Sequence, residues 1–71
     1  MGELSVMGRE GDRKLTWAEE NETEVEAART TFEKLVGKGY AAFRVNGQTD
    51  RVREFDSKAE RLILVPPMAG G

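Results

Sequence analysis

Apolar residues recur along this chain with two different periods. Val25, Ala28, Phe32, Leu35 and Val36 form one stripe of a 3.6-residue helix. Asn21 with Glu24, or equally Thr23 with Glu26, supplies a capping pair at its start. Gly37 or Gly39 supplies its end, in the left-handed conformation glycine adopts without strain. Elsewhere the period is two. Leu15 and Trp17 alternate with Lys14 and Thr16, which predicts a strand over 13–17. A weaker alternation over 3–7, with Leu4 and Val6, reads as the first arm of the same hairpin or as a frayed end. The turn between them carries Gly8 and Gly11.

After the helix, residues 40–45 predict a strand with Ala41, Phe43 and Val45 toward the helix. Asn46-Gly47 is a hairpin signal, which Thr49-Asp50 extend. Residues 51–55 then form a charged edge strand, and 56–60 a polar turn or single helical turn. Leu62-Ile63-Leu64-Val65 is an uninterrupted apolar run, short enough for a strand buried on both faces. Pro66 and Pro67 end its pairing, since neither has an N–H to donate. The string is strand, strand, helix, then three strands. One helix laid on a mixed four- to five-stranded sheet satisfies it, an α+β fold. The ubiquitin-like β-grasp is that architecture; split ββαββ folds give similar strings.

Composition narrows the chemistry. The 71 residues contain neither Cys nor His, which removes disulfides, thiolate zinc sites and imidazole bases. This argues against a stand-alone enzyme. Net charge is −2, with 11 basic and 13 acidic residues, so nucleic acid is not an expected partner. The longest apolar run is Leu62–Met68, too short for a membrane span, and cytoplasmic localisation is the expectation. Residues 37–71 hold six basic and four acidic groups, whereas 1–36 carry a net −4. That split makes Arg51, Arg53 and Arg61 a candidate partner surface. The carboxylates from Glu19 to Glu26 read as a solvated helix start, and no metal site is expected.

The carboxyl-terminal stretch Asp56-Ser57-Lys58-Ala59-Glu60-Arg61-Leu62-Ile63-Leu64-Val65-Pro66-Pro67-Met68-Ala69-Gly70-Gly71 resembles the end of the small molybdopterin-synthase subunit and related sulfur carriers. The close match covers roughly the last ten residues. The resemblance implies a β-grasp domain over 1–65 and an extended, flexible tail over 66–71. It implies that Gly71, with Gly70 before it, is the reactive terminus. A ubiquitin-activating-enzyme-like partner would use ATP to convert it to an acyl-adenylate, and sulfide transfer would give a thiocarboxylate. The chain itself would bind no cofactor. Pro66, Pro67, Met68 and Ala69 would be the partner-binding part of the tail: the prolines hold it extended and Met68 offers an adaptable apolar contact. A sulfur-acceptor enzyme is the implied next partner. Two alternatives stand beside this reading. One is a protein modifier conjugated through Gly71 to lysines; the other is a non-catalytic interaction or assembly module working through its strand edge or helix face.

Overall fold

A computed structural model describes residues 1–8 and 11–67. In chain order they form β1 (Gly2–Val6), β2 (Arg13–Trp17), α1 (Glu22–Gly37), β3 (Ala41–Val45), β4 (Thr49–Val52) and β5 (Arg61–Val65). The strands make one sheet in the order β2-β1-β5-β3-β4. β1 and β5 run parallel at its centre, and every other neighbouring pair is antiparallel. The fold is α+β, one helix on a mixed five-stranded sheet.

The helix boundaries follow from local chemistry. Asn21 is the N-cap, its Oδ1 accepting from the Glu24 N–H at 3.2 Å. The Glu24 carboxylate does not return to Asn21 as a capping box would; it accepts from the Ala18 N–H at 2.9 Å, clasping the chain before the helix. At the other end Gly39, at φ 100°, closes a Schellman turn. Its N–H donates to the Val36 carbonyl and that of Tyr40 to the Leu35 carbonyl, at 3.0 and 3.1 Å.

Directly opposed residues share a face of a sheet, so the register assigns both faces. Leu4, Leu15 and Leu62 share one row, and Val6, Leu64 and Ala42 the next. Leu4, Leu62, Leu64 and Ala42 are buried with Trp17, Ala28, Phe32 and Ala59, and this is the core beneath the helix. Burying a side chain the size of Phe32 contributes about 1.5–3 kcal/mol. Phe55 completes the core from the loop after β4. Its ring lies 5.1 Å from that of Trp17 and 5.8 Å, edge-on, from that of Phe32. The Trp17 Nε1–H donates to the Ser57 carbonyl at 2.9 Å and ties the same loop to the sheet.

Three expectations need correction. Ala41, Phe43 and Val45 do not face the helix; Ala42, between them, does. Apolar volume beside Ala42 comes instead from Leu64 across one seam and Val52 across the other, with Phe55 beyond. Thr49 and Asp50 are strand residues paired with Val45 and Arg44, so the loop is Asn46-Gly47-Gln48 and β4 ends at Val52 rather than Phe55. Gly47, at φ 80°, supplies the left-handed residue such a loop requires. β5 is buried on one face only: Leu62 and Leu64 are fully covered, while Val65 is 37% exposed.

Candidate functional site

The orientation of β3 leaves an apolar strip on the open face of the sheet. The sheet face away from the helix carries Phe43 directly opposite Ile63, and Ala41 opposite Val65. Val45 extends this apolar strip toward Arg61. All are half-buried or exposed, and none belongs to the core beneath the helix. β-Branched and aromatic residues make good strand formers whichever face they occupy, which is why the strip resembles core in the sequence.

The predicted cations fall around this strip. Arg51, on edge strand β4, stands opposite Phe43 and is exposed. Arg53 follows the end of β4 and is also exposed. Arg61 begins β5 beside Val45, and its Nε lies 3.3 Å from the Glu3 carboxylate on β1. Two strand steps separate Arg51 from Arg61, so the three arginines border the apolar strip rather than form one cluster. Among the described residues Arg51 and Arg53 make no ion pair, in contrast to Arg44, which contacts Asp56 at 3.0 Å and Asp50 at 3.8 Å.

Near the centre of the same face, Ser5 stands beside Ile63. It is 2% exposed, and its Oγ has no hydrogen-bond partner among the described residues. Alternation in the chain gave no hint of this residue, because a lone serine between Leu4 and Val6 reads as the solvated side of a strand.

Of the tail, Pro66 is half-buried and Pro67 exposed. Pro67 lies beside the helix end: a Cβ on Gly39 would stand 3.7 Å from its ring. The chain thus leaves β5 at the end of the sheet where α1 also finishes. Met68 and Ala69, expected to contact a partner, and Gly70 and Gly71, expected to be the reactive terminus, lie outside the described residues.

The acidic stretch at the helix start is engaged locally, Glu24 with Ala18 and Glu26 with Arg29 at 2.9 Å. Among the described residues no three Asp or Glu side chains converge as metal ligands. Nor is any described helix long and apolar enough to cross a membrane. No protein-family model, curated protein or solved structure matches the chain.

Proposed function

We propose that this protein is a ubiquitin-like β-grasp carrier whose carboxyl group at Gly71 is activated by an ATP-dependent adenylating enzyme. The fold part of the reading is supported by a β1–β2 hairpin, a helix across the sheet, and first and last strands parallel at the centre. The observation that carries the functional part is the sequence Pro66-Pro67-Met68-Ala69-Gly70-Gly71 directly after the last strand.

The chemistry requires Gly71 as the terminal residue of the mature protein. Its carboxylate attacks the α-phosphorus of ATP and expels pyrophosphate, giving an acyl-adenylate. Sulfide then attacks the carbonyl, and AMP leaves with the bonding pair, giving a thiocarboxylate. Two glycines suit that step because neither has a Cβ to obstruct a narrow channel or the approach to the carbonyl. The domain positions the tail and presents its surface; no side chain in it takes part in bond making.

Intact-mass spectrometry of protein from its own host, beside a version without Gly70 and Gly71, tests this. The expected result is a species in which one oxygen at Gly71 is replaced by sulfur, absent from the shortened version. Isopeptide-linked adducts at Gly71 would identify a modifier instead. A terminus inert toward ATP-dependent activation in host extract would overturn both.

The apolar strip around Phe43 and Ile63, bordered by Arg51 and Arg53, favours a second reading: an interaction module that binds through its open sheet face. Loss of a complex on Phe43→Ser, with no effect of removing Gly70 and Gly71, would select it.

A further inference from the structure

A groove of about 730 Å³ runs between β2 and the second half of α1, on the side of the molecule away from β4. Its apolar floor is Val6, Leu15, Leu35 and Tyr40, each half-buried against the core. Arg13 rises from the strand on one side and Lys34 and Lys38 from the helix on the other, while Lys14, opposite Ser5, stands at the same edge on the open face of the sheet. All four are exposed, and among the described residues none is paired with a carboxylate. No carboxylate lies among the described residues that line it. For a chain of net charge −2, three cations around one apolar floor, with a fourth on the other face of the same edge, are a local inversion of sign.

The strand wall of this groove is also the edge of the sheet, and the ladder fixes which backbone groups it offers. In β1 the N–H groups of Glu3 and Met7 donate to β5 carbonyls or the residue just before β5, at 3.1 and 2.9 Å. Odd-numbered residues of β1 therefore bond toward β5 and even-numbered ones toward β2. The hydrogen-bonded pairs with β2 are then Gly2 with Trp17, Leu4 with Leu15, and Val6 with Arg13. Lys14 and Thr16 turn their N–H and C=O groups outward, away from the sheet.

We propose that this groove binds an extended acidic peptide that adds as a sixth strand along β2. Its backbone pairs with Lys14 and Thr16, and one apolar side chain rests on Leu15 and Leu35; its carboxylates on the groove side meet Arg13, Lys34 and Lys38, and those on the other face meet Lys14. Backbone pairing supplies affinity without sequence preference, and the lysines and arginine select acidic flanks. The site is independent of Gly71 and of the carrier chemistry.

The test is an NMR titration of the isotope-labelled full chain with a blocked octapeptide of two central valines flanked by three glutamates on each side, so that either face of the added strand carries both residue types. The expected result is saturable binding below about 1 mM, with amide shifts confined to Lys14–Thr16 and Lys34–Lys38. The helix residues are exposed, so Lys34→Glu with Lys38→Glu keeps the fold and weakens binding by about tenfold or more. Lys14→Pro removes an outward N–H while leaving every internal ladder bond, and abolishes binding. Equal shifts with a valine–lysine peptide overturn the proposal. So does equal affinity for octaglutamate, which would reduce the groove to a plain anion patch. Shifts centred on Phe43 and Ile63, or concentration-dependent shifts at Lys14–Thr16 without peptide, would assign the peptide to another face or the groove to a second copy. No saturable shift at all would equally overturn it.

Discussion

The indole of Trp17 fills the space that a side chain on Gly2 would occupy. The two residues are partners at the ends of β2 and β1, and a Cβ built on Gly2 overlaps Cζ2 and Cε2 of the ring, with Cη2 only 2.8 Å away. Both are buried. Gly2 is thus required by close approach in the packing rather than by its backbone angles. Gly2→Ala is expected to displace the indole and destabilise the fold by about 1–3 kcal/mol. Thermal unfolding followed by Trp17 fluorescence checks this; a fall in Tm of less than about 4 °C would contradict it.

Trp17 also holds the loop after β4 through its bond to the Ser57 carbonyl. Trp17→Phe keeps an aromatic ring against Phe55 but leaves that carbonyl without its donor. A loss of about 1–3 kcal/mol is expected. Hydrogen exchange should accelerate in the 53–60 loop, including the Ala59 amide, which bonds to the Asp56 carbonyl, while amides of β1 keep their order of protection.

Adjacent residues of β5 should respond oppositely to substitution. Leu62 lies in the core, so Leu62→Ala is expected to cost about 2–5 kcal/mol. Ile63 faces away, and Ile63→Thr preserves strand propensity at a cost below about 1 kcal/mol. Urea denaturation of the two variants compares them directly. Equal losses would mean that both faces of β5 are covered.

The Ser5 hydroxyl, without a hydrogen-bond partner among the described residues, predicts a substitution without penalty. Removing a buried polar group that makes no hydrogen bond is neutral or stabilising, so Ser5→Ala should hold or raise the urea midpoint. A loss of stability of about 1 kcal/mol or more would mean that the hydroxyl has a partner in solution.

At the helix start, Asn21→Ala removes the acceptor for the Glu24 N–H and should cost about 1 kcal/mol, whereas Asn21→Gly should cost a few tenths, about 0.3. Chemical denaturation of the pair measures the difference.

The helix was the element most completely written in the sequence, because a cap, a stripe and a stop signal all agree on it. The strands were legible as elements but not in orientation. Over β3 the residues run Ala41-Ala42-Phe43-Arg44-Val45, and period two places the larger apolar set at the odd positions. The sheet reverses that choice. Leu4 on β1 fixes Leu62 toward the helix; Leu62 fixes Arg44, and Leu64 fixes Ala42. Arg44 tolerates the helix side because it lies at the margin, where Asp50 and Asp56 reach its guanidinium. Such parity is a property of pairing between distant segments, which no local pattern contains. The cationic groove was hidden for the same reason: Arg13 precedes Lys34 and Lys38 by more than a helix, and only the fold sets them on two walls of one space. The arginines at 51, 53 and 61 were recognisable as charge but not as the border of an apolar strip.

The parallel pairing of β1 with β5 ties the order of folding to the two strands most distant in the chain. The centre of the sheet closes only when they meet, and until then the hairpin and helix lack the strand that carries Leu62 and Leu64 into the core. Folding is therefore governed by contacts of high sequence separation, which close slowly for a domain of this size. A variant without β5 is left with an open core rather than a smaller version of the domain.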